Sequence, residues 1–180
     1  MLTITVPATE MFDDITQTFL TTEERTLKLK HSLVSISKWE SKWCKPFLSK
    51  DPKTLEETID YIKCMTMNED VDPNVYNSLT RSNIDEINKY IEAPMTATTF
   101  YETSQTSTKK EIVTSELIYY WMIALNIPME CQEWHLNRLL TLVRVCNIKN
   151  APSKKMSRRE AASRYASLNA ARRNKLNSTG

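Results

Sequence analysis

The sequence predicts a mainly α protein: a single helical domain around a central helical hairpin at about 114–147, a possible minor N-terminal two-stranded β ribbon, and a basic C-terminal extension. Three observations lead to this prediction. Glycine occurs once, at Gly180, so turns with positive φ must use asparagine or aspartate, and glycine-based hairpins are excluded. Apolar residues recur at helical spacing through most of the chain. Residues that can cap a helix precede several of these stretches.

The composition excludes several classes of protein. With 41% hydrophobic and 26% charged residues, the chain is typical of a globular domain and not of a disordered one. Without internal glycines it has no phosphate-binding loop, no dinucleotide-binding motif and no nucleophile elbow. The longest apolar run, Leu117 to Ile127, is too short to span a membrane. The N-terminus does not resemble a signal peptide, so we expect a cytoplasmic protein.

The first quarter of the chain predicts two strands and two helices. Leu2 to Val6 alternates apolar and polar residues and predicts a short strand, and Thr26 to His31 alternates in the same way. These two strands can pair as a ribbon that must pack on helices to be stable. Glu10 to Phe19 predicts a helix. Ser32 to Lys45 predicts another, which Pro46 ends.

Helix starts become clearer after residue 50. Thr54 and Glu57 have the spacing of a capping box. Asp72 followed by Pro73 predicts the start of a short helix through Leu79. Ser82 is the predicted cap of a further helix, which Pro94 ends. Residues 95–110 are polar and rich in threonine, which predicts a loop.

The most apolar block follows Thr114. Leu117 to Leu125 is apolar nearly all round, which predicts a central buried helix. Pro128 interrupts the helical pattern, and Met129 to Asn147 predicts a second long helix. Because the connection is short, the two helices are expected to form an antiparallel hairpin at the centre of the fold.

Charge divides the chain into two regions. Residues 1–150, the predicted helical body, carry a net charge of −5, whereas residues 151–180 carry +7. The second region predicts a helix from Ser157, with a thin apolar stripe that has too little surface to fold alone: Tyr165, Leu168, Ala171 or Arg172, and Leu176. Its cations can bind phosphates, it can dock on an acidic protein as an amphipathic helix, or it can be a solvated terminus.

No catalytic group is predicted. His31 and His135 are far apart in sequence, and the apolar neighbours of His135 favour a hydrogen-bonded core histidine over a catalytic base. The four cysteines, Cys44, Cys64, Cys131 and Cys146, lack the spacing of a zinc site and are expected to be reduced. We therefore expect no enzyme, no cofactor and no metal.

Candidate partner-binding residues come from three features. Trp39 and Trp43 are one helical turn apart among lysines; they can stack bases or anchor a peptide, or they can seal the edge of the core. Methionine suits adaptable apolar contacts, and the hairpin contributes two candidates, Met122 and Met129. The third feature is the cationic extension, whose candidates are Arg158, Arg159, Arg172 and Arg173.

Four segments together resemble one family. They read SLVSISKWESKWCKPFL at 32–48, TIDYIKCMT at 58–66, YYWMIALNIPMECQEWHLNRLLTLVRVCNIKN at 119–150 and LNAARRNKLN at 168–177. These segments resemble the tail assembly chaperones of long-tailed (siphovirus-type) bacteriophages, and the resemblance covers nearly the whole chain. It implies a non-enzymatic protein of the host cytoplasm that binds the phage tape measure protein during tail assembly.

The resemblance also implies contact with tail-tube subunits, which polymerise around the tape measure protein, and self-association is compatible with it. Chaperones of this family leave before the virion is complete. Two other functions are open to the sequence. One is a structural virion protein of the tail or head–tail connector. The other is a small nucleic-acid-binding protein that acts through residues 151–180.

Overall fold

A computed structural model describes residues 1–13, 18–100, 112–151 and 158–176. The chain divides into two compact units, Met1–Asn147 and Ile148–Gly180. In the described residues the first unit contains four strands and most of the helices, and the second contains one long helix. The mainly α class with a minor β ribbon is confirmed.

The N-terminal strands form two antiparallel pairs with a common register. Strand β1 (Leu2–Val6) pairs with β4 (Arg25–Leu29), and β2 (Thr9–Asp13) pairs with β3 (Thr18–Thr22). Val6 lies opposite Arg25, and Thr9 lies opposite Thr22. The pairing register is therefore the same before and after residues 7–8, which separate β1 from β2. The two pairs therefore follow the register of a single β hairpin. The predicted pairing of residues 2–6 with 26–31 is confirmed for residues 26–29, whereas Lys30 and His31 lie beyond the end of β4.

The predicted helix from Glu10 to Phe19 is wrong, because its two ends lie in strands β2 and β3. Met11 lies opposite Leu20, and Phe12 lies opposite Phe19. Phe12 and Phe19, which suggested a helical stripe, are thus cross-strand neighbours, whereas Ile15 of the same stripe lies outside the described residues. Threonines at positions 9, 18, 21 and 22 favour extended backbone. The pairing of β1 with β4 also brings β2 and β3 side by side.

Seven α-helices and one 3₁₀-helix lie in the described residues. Their bounds are α1 Leu33–Trp43, α2 Leu55–Met65, α3 Asn74–Asn77, α4 Arg81–Glu92, α5 Ser115–Ala124, the 3₁₀-helix Met129–Glu133, α6 Leu136–Asn150 and α7 Arg158–Leu176. Residues 95–100 are outside these elements, as predicted, whereas the rest of the predicted 95–110 loop lies outside the described residues.

Several helix starts are those that the sequence predicts. Ser32 caps α1, and Thr114 caps α5. The capping box of Thr54 and Glu57 is formed at the start of α2. The predicted cap Ser82 is wrong, because the cap of α4 is Thr80, whose side chain accepts from the Asn83 N–H. The Asn83 side chain accepts from the Thr80 backbone N–H and so completes the capping box. This position is usually a glutamate or glutamine, so the sequence did not indicate the cap. The proposed cap Ser157 lies outside the described residues.

The predicted central hairpin is wrong in its details. The second helix does not begin at Met129, because a 3₁₀-helix and the extended residue Trp134 precede α6. Helix α1 takes the central position instead: it packs against α2, α5 and the 3₁₀-helix. The extended backbone at His135 forms a bridge to Ser32, which ties the start of α6 to the start of α1.

The core lies between the β1–β4 ribbon and the helices. Its most completely buried side chains are Leu27, Leu29, Leu33, Ile36, Trp39, Ile62, Met65, Ile87, Ile118, Met122, Leu136 and Leu139. Segment 65–68 covers the outer edge of β4, where the backbone N–H of Met67 donates to Lys28 and the Asn68 side chain bonds two β4 backbone groups. A sheet edge protected in this way is closed to further pairing.

Candidate functional site

Trp39 and Trp43 lie at the interface of α1 and α2. The two rings stack with centroids 6.2 Å apart. Trp39 is 1% exposed, and its Nε1 donates to the Glu57 carbonyl over 2.8 Å. Trp43 is half-buried, and its Nε1 donates to an Asp60 carboxylate oxygen over 2.9 Å. Both indoles join two helices of the body, so the geometry fits the core-edge interpretation of this pair.

The neighbouring lysines are also engaged within the body. Lys42 bonds Asp60, and Lys45 lies 2.5 Å from Glu57. The hydrogen bond from Lys45 and that from the Thr54 backbone lower the pKa of Glu57. Burial opposes ionisation of Asp60, but bonds from Lys42 and Trp43 lower its pKa. These cations neutralise α2 carboxylates and do not form a free phosphate-binding patch.

A cleft of about 320 Å³ opens beside Trp39, between α1 and the loop that leads to α2. The Lys53 ammonium lies 4.4 Å from the Phe47 ring centroid and 5.8 Å from that of Trp39. Burial lowers the pKa of Lys53. The residues lining the cleft include no histidine or cysteine to pair with a nucleophile. The contacts of Lys53 give this cleft a cation–aromatic surface.

Glu40 is a buried carboxylate that sequence reasoning missed. It is 7% exposed in the middle of α1. One oxygen accepts the backbone N–H of Phe47 over 2.7 Å, and the other accepts that of Ser115 over 2.7 Å. Since Ser115 is the first residue of α5, a negative charge lies at the N-terminus of that helix, where it is favourable. Glu40 has a structural role that local sequence patterns do not indicate.

The two histidines meet in the body. Their ring centroids are 4.9 Å apart, although 104 positions separate them in the chain. His31 is 2% exposed, and its Nδ1 is bonded to the Tyr61 hydroxyl over 2.5 Å. Burial and the proximity of His135 lower the pKa of His31 to about 4. Burial raises the pKa of Tyr61 well above its ordinary value, so this bond joins a neutral phenol and a neutral imidazole.

Hydrogen bonds also define the neutral state of His135. Its Nε2 lies 3.0 Å from the Tyr90 carbonyl, which only accepts, so Nε2 carries the proton. Its Nδ1 accepts the backbone N–H of Asn137 over 3.3 Å. Burial lowers the pKa of His135 although the bond to Tyr90 opposes this. The prediction of a hydrogen-bonded core histidine is confirmed, and both rings act as structural links.

Helix α5 has one buried side and one exposed side. Ile118 and Met122 are completely buried. Tyr120 and Ile123 are 63% and 67% exposed, and Ala124 is exposed beside them. We call Tyr120, Ile123 and Ala124 the α5 outer face. The prediction that this helix is buried all round is wrong, and Met122 offers no surface to a partner. Met129, at 46% exposure, does.

Helix α7 holds the cationic candidates. Arg159, Arg172 and Arg173 are exposed on it. Arg158 is its first residue, and its side chain lies outside the described ones. The predicted helix in this region is confirmed, and the large apolar side chains Tyr165, Leu168 and Leu176 are exposed along it.

Metal chemistry has no support in the described residues. There, no group of three or more histidine, cysteine, aspartate or glutamate side chains could hold a metal ion. All four cysteines are free, with Cys131 buried and Cys44 exposed. Within the part of the chain that the structure describes, no helix is long and apolar enough to cross a membrane.

Comparisons with known proteins return no match. A scan against protein-family models, a search of curated proteins and a search of solved structures each yield no significant similarity. The class of protein that the fold and the surface define is therefore a mainly α protein with an apolar outer helix face and an exposed cationic helix.

Proposed function

We propose that this protein is a phage tail assembly chaperone that binds the tape measure protein in the host cytoplasm and assists assembly of the tail tube. The resemblance of four segments to that family suggests the role. The α5 outer face is the observation that supports it most directly. A helix that is apolar nearly all round is normally buried all round, yet α5 leaves Tyr120 and Ile123 in solvent.

The fold itself does not account for these apolar side chains. Its own core is completed by the other side of α5, through Ile118 and Met122. Tyr120 and Ile123 lie mostly in solvent. Single exposed apolar residues are common, but two that are three positions apart on a helix form one apolar surface. Such a surface suits a partner that presents apolar helical segments, as the resemblance implies for the tape measure protein. Met129 is a second exposed apolar side chain for this role.

Co-expression with the tape measure protein of the same phage tests the proposal. We expect a soluble complex in pull-down, and aggregation of the tape measure protein when it is expressed alone. Ile123→Asp should reduce recovery of the complex about tenfold, because a charge replaces an apolar contact at the centre of the interface. Leu55→Asp is the matched control, since Leu55 is 76% exposed on a different helix, α2.

Other results identify the alternatives. Equal losses for Ile123→Asp and Leu55→Asp would argue against the α5 outer face as the contact surface. A smaller oligomer of the free protein in solution after Ile123→Asp, measured by its molecular mass, would instead indicate self-association through that face. Absence of a complex, together with this chain in mass spectra of purified virions, would support a structural protein of the tail or head–tail connector.

A further inference from the structure

Helix α7 carries cationic and large apolar side chains on the same side. Successive helical residues are about 100° apart. At that spacing the described cations fall within a sector of about 220°, and the large apolar side chains fall within it too: Arg159, Arg164, Arg172, Arg173 and Lys175, with Tyr165, Leu168 and Leu176. The remaining sector of about 140° holds, among the described side chains, Ser163, Ser167, Ala170 and Ala171. The helix therefore has a mixed side, which we call the basic sector, and a small polar side.

This arrangement disfavours docking into an apolar groove of a protein. A groove-binding helix presents apolar anchors one helical turn apart in an uninterrupted stripe. In α7, Arg172 occupies the position between Leu168 and Leu176 in that stripe. Insertion into an apolar groove would desolvate its guanidinium between the anchors, which is costly without a buried partner of opposite charge.

The same mixing disfavours a membrane surface. An interfacial helix separates a broad apolar face from its cations, so that the apolar face enters the acyl region. In α7 the cations lie among the large apolar residues, and the opposite sector carries serine and alanine. No side of the described helix is both apolar and free of charge.

A strand of nucleic acid matches both groups of side chains. Arginine and lysine neutralise phosphates without regard to sequence, and an aromatic ring among them can stack on an unpaired base. Tyr165 is 68% exposed in the basic sector, and Arg172 lies two helical turns from it on the same side of the helix. The single acidic residue of α7, Glu160, does little to offset its cations.

We propose that α7 binds single-stranded nucleic acid through its basic sector, with the arginines and Lys175 on phosphates and Tyr165 stacked on a base. This function is separate from binding of the tape measure protein. It needs only the second unit's exposed helix, whereas the chaperone proposal concerns a surface of the first unit. Either proposal can fail while the other holds.

Fluorescence anisotropy with the full chain and a labelled uridine oligomer of about 20 nucleotides tests the proposal. With five phosphate contacts, affinity should fall about 100-fold between about 50 and 200 mM salt. Arg172→Ala/Arg173→Ala should weaken binding about tenfold or more and reduce the salt dependence. The matched control on the opposite sector, Ser163→Ala/Ser167→Ala, should bind as the natural chain does.

Three further variants keep the test decisive. Arg172→Lys/Arg173→Lys should retain most of the binding, because it preserves charge. Tyr165→Ala should weaken binding about tenfold, whereas Tyr165→Phe should not. Circular dichroism checks that each variant keeps its helix content.

The proposal is overturned if binding is absent or insensitive to salt, or if the serine control loses as much affinity as the arginine variant. Equal affinity for a duplex, with no effect of Tyr165→Ala, would contradict the single-strand assignment. Stronger binding to vesicles of phosphatidylcholine and phosphatidylserine than to the oligomer would assign the basic sector to lipid instead.

Discussion

At the scale of single residues, Glu40 joins α1 to the loop that follows it and to α5, whose first residue is 75 positions further along the chain. Its carboxylate, in α1, accepts from Phe47 in the following loop and from Ser115 at the start of α5. Nothing in the local sequence distinguishes Glu40 from the solvated glutamates around it, because its partners are backbone groups that only the fold brings near. The burial of a carboxylate is tolerated here since both oxygens accept hydrogen bonds.

Glu40→Ala should lower the free energy of unfolding by about 2–5 kcal/mol, because two backbone N–H groups lose their acceptor in a buried place. Urea unfolding measures this loss. Glu56→Ala is the matched control, since Glu56 is exposed on α2 and its removal should change stability by less than about 0.5 kcal/mol. Equal effects of the two substitutions would refute the structural role of Glu40.

The paired histidines make stability depend on pH. His31 has a pKa of about 4 in the folded protein, against an ordinary value of 6.5. Above pH 6.5 the His31 imidazole is neutral in both the folded and the unfolded protein, so its lowered pKa does not reduce the free energy of unfolding. As pH falls below 6.5, His31 becomes protonated in the unfolded chain but stays neutral in the folded protein. The free energy of unfolding therefore decreases until the pH reaches about 4.

For His31 the loss between pH 6.5 and 4 should be about 3 kcal/mol, and His135 should add to it. Urea unfolding at pH 7 and near pH 4.5 measures the change. His31→Gln keeps a side chain that can accept from Tyr61 but cannot titrate, so its stability should vary less over this interval. An unchanged pH dependence in that variant would show that other groups are responsible.

At the scale of elements, residues 10–19 show how a short apolar pattern can be misread. Met11, Phe12 and Phe19 fit one face of a helix, and they also lie at paired positions of β2 and β3. What distinguishes the two is the pairing of β1 with β4, which places the intervening segments side by side in the same register. Local sequence contains no information on a partner strand, so the choice between the two depends on tertiary structure.

Substitution of Thr80 and of Ser82 shows which of these two side chains caps the N-terminus of α4. Thr80→Ala should lower the free energy of unfolding by about 1 kcal/mol, because the Asn83 N–H loses the acceptor at the N-terminus of the helix. Ser82→Ala, on an exposed side chain inside the helix, should change it by less than about 0.5 kcal/mol. Thermal or urea unfolding distinguishes them, and the reverse order would restore Ser82 as the cap.

At the scale of the whole molecule, the chain separates into a body and a C-terminal unit. The core residues named above all belong to the body, and α7 exposes its described side chains along its length. A surface with partner-binding chemistry is present in each unit: the α5 outer face in the first, and the basic sector in the second. On the two proposals, the chain holds two partners through separate elements, which would raise the effective concentration of one near the other.

A chain that ends at Asn150 keeps all of α6 and loses α7. We expect its free energy of unfolding to lie within about 0.5 kcal/mol of that of the full chain, because α7 contributes no residue to the described core. Urea unfolding monitored by tryptophan fluorescence follows the body alone, since all four tryptophans precede residue 147. A much lower midpoint would show that the second unit stabilises the first.

The sequence by itself determined the mainly α class, the ribbon between residues 2–6 and 25–29, and the starts of α1, α2 and α5. These features depend on caps, proline positions and periodicity, which act over a few residues. Tertiary structure alone decided that α1 is central, that residues 10–13 and 18–19 lie in strands, that α5 leaves one side in solvent, and that His31 meets His135. Each of these depends on contacts between distant segments, and helical or alternating patterns do not say which segment will cover which face.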